Sequence, residues 1–355
     1  MNISYTTVIL LPLIVAFIAT IILTPISLIF IKRFKLFDDP KRHKHPAIIH
    51  KKPVPRAGAI PLFIGIAVSA VVFLPLTPIT ITLFIASFLA LIIGVIDDKY
   101  DISAYIRFAS NIIVALIIIG SGVGITFITN PLGGIIDISA LKVSLISLSD
   151  VITVVWIVWV MNMLNWSKGV DGQMPGIVAI SAIVIGVLSL RFPLADQNTF
   201  IASVLAFAIA GGSLGFLIFN FYPAKIFPGY GATSVYLLLA VVSVLSGAKL
   251  ATAILVMGVP MIDGIFTVIR RIVSGQSPFR HDKKHLHHLL LKLGFTQTTI
   301  ALFYWFISAI LGALSLLLSS QGKLFAIIML GVLAGGALFF LHLFLRFRDE
   351  KLDKS

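Results

Sequence analysis

The chain has no cysteine, and its 14 acidic residues include a single glutamate. Without cysteine there are no disulfides, thiolate metal ligands or cysteine nucleophiles. Charge of any sign is scarce. Charged residues make up 12% of the 355, about half the share usual for soluble domains. That excludes an ordinary water-soluble fold. Apolar residues fill the space instead, at 59% of the chain with a mean hydropathy of +1.08.

Apolar runs of about 20 residues, the length that crosses a bilayer as helix, recur along the sequence. Eleven are read, near 8–31, 58–75, 80–96, 104–127, 150–165, 175–191, 199–221, 231–247, 250–271, 297–319 and 323–345. The first is too long for a signal peptide and lacks a basic leader and a small-residue cleavage site. The expected fold is all-α: one polytopic membrane domain over residues 1–355, about eleven transmembrane helices, and a cytoplasm-facing cleft. Segment 130–149 has glycine punctuation and partial two-residue alternation, which predicts a small external β-hairpin.

With the N-terminus outside and the C-terminus cytoplasmic, only Lys142, Arg191, Lys249 and Lys323 of the 27 basic residues fall outside. The positive-inside rule favours that orientation. It accounts for most of the +13 net charge, so no nucleic-acid partner is expected.

The polar clusters all fall on the inside segments. Asp97 and Asp98 stand together at the end of an apolar run. Two bare carboxylates there repel and are costly to desolvate, so a cation or basic partners must hold them, unless they form a solvated helix end. Arg107 follows in the next helix, either neutralising them or anchoring that helix at the membrane face. Arg56 sits between Pro55 and a helix entrance, where its planar fork suits a phosphate. Asn162 and Asn165 share a helix face and run into Gly169-Val-Asp-Gly172. Around 219–234 lie Asn220, Lys225, Phe227 and Tyr230, either a nucleotide pocket or an interfacial aromatic belt. The last inside loop carries Arg270, Arg271, Arg280, His285, His287 and His288, a set suited to phosphate or to acid–base work.

In this order the motifs resemble those of the polyprenyl-phosphate N-acetylhexosamine-1-phosphate transferases. They are the basic loop ending at Arg56-Ala-Gly58, the Asp97–Asp98 pair, NxxN…GxDG over 162–172, FNxxPAKIF over 219–227 and SPF…DxxHxHH over 277–288. The resemblance covers nearly the whole chain and is stronger to the N-acetylglucosamine-phosphate branch than to the muramoyl branch. It implies a plasma-membrane enzyme that moves a sugar 1-phosphate from a UDP-sugar to polyprenyl phosphate, releases UMP and starts cell-envelope glycan synthesis. It also implies Mg²⁺, with Mn²⁺ as a substitute, and a homodimer in membrane lipid. By the same resemblance Asp97, Asp98 and Asp171 are catalytic, and Asp98 and Asn165 ligate metal. Arg56, Asn162, Lys168, Asn220, Phe227, Arg280, His285, His287 and His288 bind substrate, with Phe227 stacking on uracil.

Two positions depart from that family's pattern. Lys168 and Tyr230 stand where aspartates are usual, and the second of those aspartates is a direct Mg²⁺ ligand. Either the charge is handled differently here, with Lys168 replacing part of the cation, or the chain binds nucleotide sugar or polyprenyl phosphate without turnover. A transporter is the third reading, with Asp263 and His342 as its intramembrane charges.

Overall fold

The computed structural model describes residues 6–38, 52–130, 133–143, 146–245, 250–280 and 282–352. Most of the first basic loop, with His43, His45 and His50, lies outside the described residues, as do Lys249 and His281.

The described chain is mainly helical. Helices α1 (Leu11–Arg33), α2 (Ala59–Phe73), α3 (Pro78–Tyr100) and α4 (Ala104–Gly120) form the first half. Helices α5 (Leu148–Trp166), α6 (Gln173–Ser189), α7 (Gln197–Asn220) and α8 (Thr233–Leu245) follow. The remainder are α9 (Leu250–Val256), α10 (Gly258–Val273), α11 (Leu286–Lys292), α12 (Gln297–Leu317) and α13 (Ser320–Leu352). Among the described residues six helical stretches are long and apolar enough to cross a membrane, or seven if α9 and α10, bent by 86°, form one span. Each of the eleven apolar runs holds one of these stretches or a shorter apolar helix. The protein is therefore an all-α integral membrane protein.

Burial orders the bundle. The most apolar stretch of α7 is 83% buried and that of α13 only 6%, so α7 is central and α13 peripheral. Helix α7 packs on α1, α2, α6 and α8. Apart from the buried Leu338 and Leu345, most large apolar side chains of α13 point outward, as expected of a surface solvated by lipid rather than water.

Three sequence expectations are corrected. The fourth run ends as helix at Gly120, short of 127, because Ser121 and Gly122 cap it and Gly122 turns the chain at φ +83°. The released segment forms strand β3 (Phe127–Thr129), paired antiparallel with β4 (Ile135–Asp137). A second ladder pairs β5 (Lys142–Val143) with β6 (Ile146–Ser147), so this segment holds two ladders rather than one hairpin. On the other loop, β1 (Phe37–Asp38) pairs with β2 (Val54–Pro55), where no strand was expected.

The α3–α4 corner positions the acids. Thr77 and Thr80 form a reciprocal cap at the start of α3, after which the helix runs unbroken to Tyr100. Asp101 ends it in the left-handed region at φ +47°, and Ser103 caps α4 through the Ile106 N–H. This tight return brings Arg107 back over the last turn of α3.

Candidate functional site

One cavity of about 250 Å³ opens where the loops 52–58, 101–107, 162–174, 220–230 and 271–288 meet. Eleven of the thirteen sequence-predicted residues line it: Arg56, Asn162, Asn165, Lys168, Asp171, Asn220, Phe227, Arg280, His285, His287 and His288. Asp97 and Asp98 do not. Both side chains have no exposed surface and lie behind the wall that Arg56, Arg107, Lys168 and Tyr230 form.

The carboxylates are compensated from within the protein. Arg107 Nε lies 3.0 Å from Asp97 Oδ1, and Arg56 Nε lies 3.2 Å from Asp98 Oδ1. Asp98 Oδ1 also accepts the Tyr230 backbone N–H at 2.8 Å. Arg107 is itself braced by Asp101 at 2.8 Å and by the Ile102 carbonyl. Lys168 Nζ donates to the Gly229 carbonyl at 2.9 Å and acts electrostatically on both acids. Gly229 is required here: its φ is +71°, and a Cβ would run into the Asp98 carboxylate.

Environment tunes the cations. Burial, then the neighbouring Arg56, pushes the Lys168 ammonium down to about 8 against the pull of Asp98 and Asp97. Arg56 is held above its ordinary value: burial opposes its charge, and Asp98, Asp38, Asp97 and Asp101 outweigh that.

Backbone bridges join the loops. Gly58 N–H donates to the Phe227 carbonyl at 2.8 Å, and Phe227 N–H donates to Pro55 O at 2.8 Å, which brings Arg56 and Phe227 to the same cavity lining. Asp171 Oδ2 accepts the Ala224 N–H at 2.9 Å. Asn220 accepts the Gly172 N–H at 3.2 Å and donates to Ile226 O at 2.9 Å. Asp171 and Asn220 thus tie the GxDG turn to the Pro-Ala-Lys-Ile-Phe loop. Asn162 donates to Val158 O of its own helix, while the buried Asn165 Oδ1 has no hydrogen-bond partner.

The histidines form a stack. The His285 and His287 rings are parallel with centroids 5.7 Å apart, and the His287 and His288 centroids are 4.3 Å apart. A Cβ at Gly169 would overlap the His287 ring, so the GxDG turn rests directly on it. Burial holds His287 well below the ordinary histidine range and takes His288 down to about 4. At neutral pH these two are uncharged hydrogen-bonding rings rather than cations. Arg280 is exposed at the rim.

Several contributors were not picked out as site residues. Asp263 Oδ2 lies 2.8 Å from His285 Nδ1, and its Oδ1 accepts the Leu286 N–H at 2.9 Å. It anchors His285 and the start of α11; His342 Nδ1 bonds Leu338 O of its own helix. Asp282 is held below its ordinary value, since the Arg270 hydrogen bond and the Arg271 charge outweigh its burial. The Gln297 side chain accepts the Asp171 N–H at 3.1 Å, and Trp305 donates to the Gly172 carbonyl at 3.2 Å. No local pattern marks a glutamine at a helix start or a tryptophan two turns further along it as a loop brace.

Magnesium takes oxygen donors in near-octahedral geometry and usually keeps one or two carboxylates. Of the two ligands the resemblance implies, Asn165 keeps one unpartnered Oδ1, but Asp98 has one oxygen engaged by Arg56 and Tyr230, and its side chain is sealed from the cavity. Both Asp97 oxygens and Asp98 Oδ2 lack hydrogen-bond partners, but Arg107, Arg56 and Lys168 supply charge to them. Among the described residues no three acidic or histidine side chains are grouped to hold a metal ion. These side chains do not fit a resident magnesium ion.

A family model described as glycosyl transferase family 4 matches residues 80–247. A decaprenyl-phosphate N-acetylglucosaminephosphotransferase of Mycolicibacterium smegmatis is 30% identical over 307 residues, covering 78% of this chain and 75% of its own. A probable undecaprenyl-phosphate N-acetylglucosaminyl 1-phosphate transferase of Bacillus subtilis is 28% identical over 315 residues, covering 86% and 84%. A phospho-N-acetylmuramoyl-pentapeptide-transferase of Moorella thermoacetica is 27% identical over 335 residues, covering 86% and 97%. The chain belongs to glycosyl transferase family 4, among the polyprenyl-phosphate N-acetylhexosamine-1-phosphate transferases.

Proposed function

We propose that the chain transfers an N-acetylhexosamine 1-phosphate from a UDP-sugar to polyprenyl phosphate at the cytoplasmic face of the plasma membrane. An oxygen of the lipid phosphate attacks the β-phosphorus of the UDP-sugar. The new P–O bond forms as the bond from the β-phosphorus to the bridging oxygen breaks, and UMP leaves with that electron pair. The product is a lipid-linked sugar diphosphate, the first unit of an envelope glycan.

The nucleophile is already an anion near neutral pH, so the chemistry needs charge compensation and alignment more than a base. The observation that carries the reading is the convergence of Arg56, Arg107 and Lys168 on one cavity with Phe227, Asn165 and His287. The cations take the phosphates. Phe227 offers a face for uracil. Neutral His287 and His288 serve as hydrogen-bonding groups for the diphosphate or sugar. Asp97 and Asp98, sealed behind the wall, hold the cations in position rather than touch substrate. Asp171 and Asn220 hold the two loops that frame the nucleotide.

The positive-inside distribution supports eleven crossings with the cavity facing the cytoplasm, the N-terminus outside and the C-terminus inside. The polyprenyl tail then lies in lipid beside the cavity. A homodimer remains part of the reading by family likeness. UMP release by the detergent-purified chain, given UDP-N-acetylglucosamine and undecaprenyl phosphate, tests it. Release that depends on the lipid supports the reading; UDP-sugar binding without release points to a non-catalytic relative.

A further inference from the structure

Each buried carboxylate already has a side-chain cation, Arg107 on Asp97 at 3.0 Å and Arg56 on Asp98 at 3.2 Å. Lys168 is surplus to those two pairs. Its ammonium donates to a neutral carbonyl, that of Gly229, while lining the cavity. An ammonium carries three N–H groups, so the others remain for an incoming anion. Arg56 and Arg107 line the same cavity, with their acids behind them. Asp38, Asp101, Asp171 and Asp282 line the cavity too, but Asp101 pairs with Arg107, Asp282 pairs with Arg270 and Arg271, Asp171 accepts the Ala224 N–H and Asp38 acts on Arg56. A divalent cation entering here meets carboxylates already engaged, whereas a diphosphate meets the Lys168 donors.

We infer that the chain holds no resident divalent cation, and that Lys168, backed by Arg56 and Arg107, supplies the fixed charge that binds the nucleotide diphosphate. Lysine suits the task as a point-charge phosphate binder, and the arginines as planar forks locked by their acids. The inference takes its ligand from the nucleotide-sugar reading, but its metal part stands apart from turnover.

The experiment uses the full chain purified in detergent. Mn²⁺ is titrated into nucleotide-free protein and followed by electron paramagnetic resonance. UDP binding is measured by calorimetry in the presence of a chelator. No saturable Mn²⁺ binding through the millimolar range is expected, together with UDP binding that survives the chelator. Lys168→Met, which keeps most of the side chain's length, is expected to weaken UDP about tenfold or more while the protein stays folded. Saturable Mn²⁺ binding that disappears in Asp98→Asn overturns the inference. So does UDP binding abolished by the chelator, or left unchanged in Lys168→Met. UDP binding absent in every condition sinks the nucleotide-sugar reading, and the Mn²⁺ titration then decides the metal question alone.

Discussion

Lys168 Nζ donates to the Gly229 carbonyl at 2.9 Å, one residue before the Tyr230 N–H that holds Asp98. The ammonium and the buried acid are therefore coupled through a single backbone turn. Lys168→Ala removes a charge-assisted contact worth ~1.5–3 kcal/mol, or roughly ten- to a hundredfold in rate. Turnover is expected to fall by that factor while the protein still elutes as a folded species. An unchanged rate contradicts the role assigned to Lys168.

The same side chain sets a pH dependence. Its ammonium is depressed from 10.5 to about 8, so it loses its proton as pH rises through about 8. Anion binding at the cavity is expected to be full below that pH and to weaken above it. UDP affinity measured from neutral to alkaline pH checks this, and Lys168→Arg is expected to abolish the weakening. A profile flat to pH 10 or beyond assigns the lysine an ordinary, solvated titration.

Gly229 carries two constraints, a positive φ and contact with the Asp98 carboxylate. Gly229→Ala is expected to lower stability by ~1–3 kcal/mol and to disturb the site. Gly275, at φ +66° with nothing within 4 Å, is its control: Gly275→Ala pays only the backbone part. Paired thermal melts compare the two, and equal losses contradict the packing argument.

Asp263 holds His285 and the Leu286 N–H with separate oxygens. Asp263→Ala leaves the buried His285 ring with only the 3.4 Å contact to Thr267 and a helix-start N–H unpaired, and is expected to cost about 3 kcal/mol. Asp263→Asn retains one hydrogen-bonding oxygen and is expected to cost less. Denaturant or thermal unfolding ranks the two, while the UDP-sugar KM reports whether the histidine stack has shifted.

The apolar runs reveal the helices because a membrane helix needs about 20 apolar residues whatever packs against it. Their ends are less legible. Val123 and Ile125 read as more helix, yet Gly120-Ser-Gly122 stops α4 and passes the following residues to a strand. Eleven of the thirteen residues the motifs single out line one cavity, drawn from distant segments, since polar groups are rare enough in this chain to stand out. What the sequence does not convey is depth. By resemblance Asp97 and Asp98 read as catalytic and Asp98 as a metal ligand, but their place behind Arg56 and Arg107 depends on the α3–α4 return and on the Pro55–Phe227 backbone bridge. Nor does it assign partners: Asp263 pairs with a histidine 22 positions away, across a loop whose path no local rule fixes.

The most direct test follows the β-phosphate itself. UDP-N-acetylglucosamine labelled in its β-phosphate is incubated with the purified chain and undecaprenyl phosphate, and the lipid and aqueous phases are separated. The label is expected to move into the lipid phase, with unlabelled UMP in the aqueous phase and little transfer in Lys168→Ala. Label that stays with UDP-sugar in the aqueous phase, with other UDP-sugars and lipid acceptors also tried, contradicts the transferase.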